Sequence, residues 1–289
     1  MYGSIEAGGT KFVCAVANED LEIIERVSFP TTTPEETMEL VIRFFKVYQN
    51  KLKGIGIGSF GPIDVDQDSL TYGYITTTPK TSWQNFNFVG AMKEHFSLPI
   101  AWTTDVNAAA YGEYAFGKGK GLSSVVYYTI GTGIGGGALQ NGRFVEGFSH
   151  PEMGHMMVMP HKKDSFTGNC PFHGNCLEGM AAGPAIEKRT GKKGQNIQQD
   201  DELWDIEAYY IAQCAYNTTL MLSPDVIIFG GGVMKQHHMI KKVQQAFENL
   251  MQGYVKTPSL TNYIVTPELE DNAGTLGCLA LAKEVEIHS

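Results

Sequence analysis

Residues 170–179 read CPFHGNCLEG. Cys170, His173 and Cys176 fall at three-residue intervals in a chain with five cysteines, and a carboxylate, Glu178, follows two places later. Upstream, HPEMGH (150–155) offers Glu152 and His155 three apart. Thiolates and imidazoles at this spacing suit zinc, and with His155 as fourth ligand the set becomes two Cys and two His, the donors of a closed structural site. His150, His161 and Asp164 are rival fourth ligands. A disulfide needs an oxidising compartment, and a redox pair reads C-x-x-C. A closed site would fix its loop and with it Glu178. Without the cysteines, HPEMGH reads as a polar turn.

Three glycine loops, GGTK (8–11), GTGIGGG (131–137) and FGGG (229–232), each follow an apolar strand. Glycine lets backbone N–H groups approach an anion with no Cβ in the way, and Thr10, Lys11 and Thr132 add hydroxyl and ammonium groups. None is a Walker A sequence or G-x-G-x-x-G. Any one alone reads as a tight hairpin; the three together point to a nucleotide site. Asp105 stands where a strand gives way to a helix, the edge at which open α/β sheets place ligands. A carboxylate there can take a proton from a substrate hydroxyl. It can equally cap the helix at 106–116, and the sequence leaves both jobs open.

The elements that must position these groups alternate between strand and helix, an α/β pattern. Residues 2–17 read as two short strands around a glycine turn. Thr33-Pro34-Glu35-Glu36 starts a helix, with Thr33 as N-cap, and Met38, Val41, Ile42, Phe45 and Tyr48 follow at helical spacing. Strands are expected at 54–59, 99–105, 225–232 and near 262–266. Helices are expected at 87–96, 106–116, 202–222, 235–251 and about 274–285. Residues 124–142 repeat the layout of the N-terminus, with Gly131-Thr132 in the place of Gly9-Thr10. That internal similarity suggests two related domains.

At 289 residues, 43% hydrophobic and 18% charged, the chain has the composition of a soluble globular protein able to bury a core without staples. No basic-then-apolar leader and no run of 18 apolar residues is read, so neither secretion nor membrane insertion is expected, and no membrane partner. The net charge of −9 disfavours a sequence-independent hold on nucleic acid but not one nucleotide held by amides and a metal. Cys14, Cys214 and Cys278, alone in apolar surroundings, fit buried thiols of a cytoplasmic protein.

The ordered set GGTK, FGPID, TDVNAAAYGE, GTGIGGG, HPEMGH and CPFHGNCLEG resembles the ROK sugar kinases, and most closely their bacterial fructokinase branch, over essentially the whole chain. The resemblance implies an actin-like, hexokinase-type (ribonuclease H-like) α/β fold, two domains flanking a nucleotide–sugar cleft. The first would span 1–115 with 272–289 and carry the first phosphate loop and the base. The second, 116–271, would carry the other phosphate loop, the zinc loop and the adenosine-side glycines. It further implies ATP and Mg²⁺ as cofactors beside structural Zn²⁺, a homodimer, and phosphorylation of a hexose at its terminal hydroxyl.

By position, Asp105 corresponds to the catalytic base, and Glu152, His155 and Glu178 to sugar-hydroxyl ligands. Gly8, Gly9, Thr10, Lys11, Gly131, Thr132 and Gly133 match the phosphate loops. Pro184, Gly230, Gly231 and Gly232 match the adenosine side. Three positions depart from the commoner pattern: Glu6 for an Asp, Thr104 for an Asn before the base, and C-x-x-H-x-x-C for C-x-C-G-x-x-G-C. The last favours fructose, giving fructose 6-phosphate and ADP, over glucose, mannose or an N-acetyl sugar. The family's sugar-sensing regulators carry a helix-turn-helix before the first glycine loop. Here GGTK begins at residue 8, so an enzyme is expected.

Overall fold

The structure is a computed structural model and describes residues 1–287. The chain divides into two compact units: Met1–Gly117, Phe144–His150 and the chain from Leu269 on form the first, Lys118–Arg143 and Pro151–Glu268 the second.

In the first unit, β1 (Tyr2–Ala7) runs antiparallel to β2 (Lys11–Ala17), which pairs with the edge strand β3 (Ile23–Pro30). On its other side β1 runs parallel to β4 (Gly54–Ser59), and β4 parallel to β7 (Ile100–Thr104), giving the order β3-β2-β1-β4-β7. Helix α1 (Pro34–Lys46) starts as read: the Thr33 hydroxyl accepts the Glu36 N–H at 3.4 Å, and Met38, Val41, Phe44 and Phe45 are buried. A short pair, β5 (Tyr74–Ile75) and β6 (Phe86–Asn87), precedes α2 (Phe88–Lys93), and α3 (Asp105–Phe116) follows β7 directly.

In the second unit, β8 (Ser124–Ile130) and β9 (Ile134–Gln140) form the second hairpin, and β10 (Arg143–Phe144) follows at the boundary between the units' segments. Helices α4 (Leu177–Ala181), α5 (Gly183–Thr190) and α6 (Leu203–Leu222) lead to β11 (Val226–Gly230). Then come α7 (Met239–Met251), α8 (Leu260–Tyr263) and β12 (Ile264–Val265). The order β10-β9-β8-β11-β12 repeats the first sheet strand for strand, with β8 antiparallel to β9 and parallel to β11. The internal similarity read at residues 124–142 is therefore a repeat of topology.

The last helix, α9 (Ala273–Ile287), belongs to the first unit and packs on α3, β1 and β4. The alternation GIGIGS in β4 explains how. Ile55 and Ile57 point into the core, both fully buried, while a Cβ on Gly56 would lie 1.9 Å from the Cys278 carbonyl oxygen of α9. Only glycine allows that approach.

The sequence pattern misses β3, α4, α5 and α8 and starts α7 four residues early. β3 is an exposed edge strand with little apolar alternation, and α4 is a single turn, too short to show a period. No helix among the described residues is long and apolar enough to cross a membrane.

Candidate active site

In the second unit, Cys176 is the N-terminal flank of α4, and Glu178 lies in that helix's first turn. The structure brings one ligand atom each from His155, Cys170, His173 and Cys176 within 4.8 Å of one another. Sγ of Cys170 lies 3.7 Å from Nδ1 of both His155 and His173, and Sγ of Cys176 lies 3.5 Å from Nδ1 of His155. Zinc bonds of about 2.0 Å to nitrogen and 2.3 Å to sulfur give a tetrahedral edge of about 3.5 Å, so the donor set fits that ion. Burial, with Cys170 beside it, pushes the Cys176 thiol up to about 11, a cost a metal cation would offset. All five cysteines are unbridged.

The rival ligands lie elsewhere. His150 is in the first unit, where its Nε2 accepts the Ile63 N–H at 3.1 Å. His161 packs edge-on against Tyr209, and Asp164 pairs with Arg189 at 3.2 Å. Asp164 belongs to a buried cluster that the sequence did not disclose. Arg189 also lies 3.6 Å from Glu207, the Tyr210 hydroxyl donates to Asp164 at 2.9 Å, and the Arg189 guanidinium lies over the Phe166 ring. Burial pushes the Glu207 carboxyl well above the usual range. One guanidinium thus ties the segment that leads into Cys170 to α5 and α6.

With Nδ1 turned to the thiols, His155 leaves Nε2 4.0 Å from Oε1 of Glu178. Oε2 of Glu178 accepts the Ile134 N–H at 2.9 Å, the first amide of β9. Glu152 opens the short 3₁₀ turn Met153–His155, its carbonyl accepting the His155 N–H at 3.0 Å. That turn lies on β9 because a Cβ on Gly154 would sit 1.7 Å from the Ile134 carbonyl oxygen. Glu178 and His155 thus converge on the strand that leaves the second glycine turn, and Glu152 is exposed on the same short turn.

That turn is held by Gly131 N–H to Gly133 carbonyl at 2.9 Å. The Gly183 N–H donates to the Gly131 carbonyl at 2.7 Å, which brings the start of α5, where Pro184 lies, to the turn. Gly231, at φ +88°, follows β11, and a Cβ on Gly131 would lie 3.8 Å from the Gly232 nitrogen. Thr132 is exposed at the tip.

In the first unit, Gly8-Gly9-Thr10 joins β1 to β2, with Thr10 and Lys11 exposed. Asp105 is the first residue of α3, and the cap is made by its neighbour: the Thr104 hydroxyl accepts the Asn107 N–H at 3.1 Å. The capping job left open for Asp105 is therefore taken, and Thr104 spends its hydroxyl there. Oδ1 of Asp105 accepts the adjacent Val106 N–H at 2.8 Å. Burial, and after it the nearby Glu6 carboxylate, push Asp105 up to about 6.

Glu6, raised mainly by burial, accepts a hydrogen bond from the Thr275 hydroxyl at 3.0 Å. A Cβ on Gly274 would meet its Cδ at 2.8 Å, so a glycine of α9 makes room for the Glu6 side chain. Thr275 lies 269 residues away in sequence, and no local signal joins the pair. Asn107, whose amide donates to Thr103 at 3.1 Å and to Glu146 at 3.4 Å, is a second polar group beside Asp105 that the sequence reading passed over.

Comparison with known proteins adds to this geometry. The chain is 54% identical to a fructokinase of Streptococcus mutans serotype c, over 99% of this chain and 98% of that protein. It is 53% identical to a fructokinase of Lactococcus lactis subsp. cremoris, over 97% and 96%. A solved ROK hexokinase from Thermus thermophilus superposes with a TM-score of 0.81 at 24% identity, covering 99% of both chains, which shows the fold to be that of the actin-like sugar kinases. The model described as ROK family matches residues 2–285, and the chain belongs to that family.

Proposed function

We infer that the chain is an ATP-dependent fructokinase that converts D-fructose and ATP to fructose 6-phosphate and ADP. The observation that carries this reading is the 54% identity, end to end, to a fructokinase. In the reaction the 6-hydroxyl oxygen bonds to the γ-phosphorus, the bond from that phosphorus to the β–γ bridging oxygen breaks, and ADP leaves. Asp105 accepts the hydroxyl proton, which suits a carboxylate whose pKa, at about 6, lies below neutral pH but above the ordinary range.

Glu152, Glu178 and Nε2 of His155 take the sugar hydroxyls, ionised acceptors giving the strongest and most directional bonds. The amides of Gly8, Gly9 and Thr10 and of Gly131, Thr132 and Gly133, with Lys11, meet phosphate oxygens. Pro184 and Gly230–Gly232 flank the adenosine. Mg²⁺ arriving with ATP offsets phosphate charge, which two neighbouring carboxylates, Glu6 and Asp105, would otherwise oppose. Zn²⁺ on His155, Cys170, His173 and Cys176 is structural: it fixes the ring of His155 and the start of α4. A cytoplasmic homodimer completes the reading.

A coupled ADP-release assay across fructose, mannose, glucose and N-acetylglucosamine tests it. Fructose should have the highest kcat/KM; fructose ranking below glucose overturns the assignment.

A further inference from the structure

Lys80 lies outside the glycine, histidine and cysteine motifs. It lies between β5 and β6 in the first unit, yet a Cβ on Gly9 would sit 3.4 Å from its Cε. Its side chain therefore rests on the Gly8–Thr10 turn. The backbone that carries it is fixed through one buried anchor. The Lys80 carbonyl accepts the Trp83 N–H at 2.8 Å, Trp83 is fully buried, and its indole N–H donates to the Thr32 carbonyl at 2.8 Å. The preceding residue, Thr31, holds the turn itself, its hydroxyl donating to the Gly8 carbonyl at 2.7 Å and its N–H to the Thr10 carbonyl at 3.0 Å. One short segment thus locks both the turn and the lysine that covers it.

The local charges say what the lysine is for. Among the described residues no carboxylate lies within ion-pair distance of the Lys80 ammonium, although the chain is acidic overall. The N–H groups of Gly9 and Thr10 and the Thr10 hydroxyl also have no protein partner among those residues. Three donors and one half-buried cation therefore meet at one turn with nothing to neutralise them. The adjoining sheet edge has the opposite sign: Glu6 is the last residue but one of β1, and register through β4 sets Glu6 beside Gly58 and Gly58 beside Thr103, two before Asp105. An anion reaching this edge is repelled by both carboxylates and needs a fixed counter-charge.

We propose that Lys80 binds the phosphoryl group being transferred, its ammonium donating to γ-phosphate oxygens of ATP seated on the Gly8–Thr10 turn. The role deepens the kinase reading and rests on it. A γ-phosphate contact has a signature that a structural lysine lacks, because ATP loses affinity and ADP does not.

The test is calorimetric titration of MgATP and MgADP, without sugar, into the whole protein and its Lys80→Met and Lys80→Arg variants, with steady-state kinetics beside it. Lys93→Met, which removes an exposed lysine of α2, controls for net charge. Loss of one charge-assisted contact should weaken MgATP binding about tenfold to a hundredfold in Lys80→Met, with MgADP changed less than about threefold. The fructose KM should hold, and Lys80→Arg should recover part of the loss. Unchanged ATP affinity, an equal loss for ATP and ADP, or a loss confined to fructose KM overturns the proposal. If ATP discrimination depends on Lys80 but another sugar is preferred, the phosphate role stands and the fructose reading alone fails.

Discussion

Oε2 of Glu178 accepts the backbone N–H of Ile134 at 2.9 Å. A side chain of the first turn of α4 is thereby bonded to the strand that leaves the second glycine turn, so the carboxylate proposed to hold the sugar and the hairpin proposed to hold phosphate share one geometry. Glu178→Gln can still accept from Ile134 but loses the ionised acceptor for a hydroxyl. Its kcat/KM for fructose should fall about tenfold to a hundredfold, with KM for ATP nearly unchanged. Steady-state kinetics with each substrate varied in turn decide this, and a loss seen only in KM for ATP would reassign the residue.

Asp105→Asn removes the proton acceptor and should lower kcat by about 10²–10⁴. In the unchanged protein, kcat/KM should fall as pH drops through about 6, where Asp105 takes up its proton. Stability should move the other way. The native carboxyl holds its proton up to about 6 while the unfolded one loses it near 3.8, so the native state binds more protons between those values and stability falls as pH rises through them. Asp105→Asn should therefore be more stable than the parent at pH 7, by about 1–3 kcal/mol, with the gain gone below pH 4. Denaturant melts at both pH values read this directly.

Elemental analysis should find about one zinc per chain, as one closed four-ligand site requires. Chelation should lower Tm and raise KM for fructose while leaving ATP binding largely intact. Because the metal-free Cys176 thiol titrates near 11, binding must release protons, and zinc affinity should weaken as pH falls. His155→Ala retaining stoichiometric zinc would remove His155 from the ligand set.

Arg189 is 9% exposed at its side chain and Glu207 fully buried, so the pair tests the brace behind the metal loop. Arg189→Met strands the buried Asp164 charge and should cost about 3–5 kcal/mol, with easier loss of zinc. Glu207→Gln keeps the shape of the side chain beside Arg189 and removes its titratable proton. The native state keeps the Glu207 proton above the ordinary carboxylate range, so stability falls as pH rises there. Glu207→Gln should flatten that slope; an unchanged pH–stability curve would show Glu207 ionised.

What the sequence determined by itself was whatever local chemistry encodes. Thr33-Pro34-Glu36 started α1 because a cap needs only its own next three residues, and C-x-x-H-x-x-C placed three of the gathered ligands because a knuckle is a local turn. The doubled hairpin was legible for the same reason, as strand, glycine turn and strand lie side by side in the chain. Tertiary structure alone decided which groups meet across long separations. It gave the helix cap to Thr104 and left Asp105 free, set Thr275 on Glu6, tied Arg189 to Asp164 and Glu207, and laid Lys80 on Gly9. Each of those choices depends on burial and on strand register, which fix distances between residues that no spacing in the sequence relates.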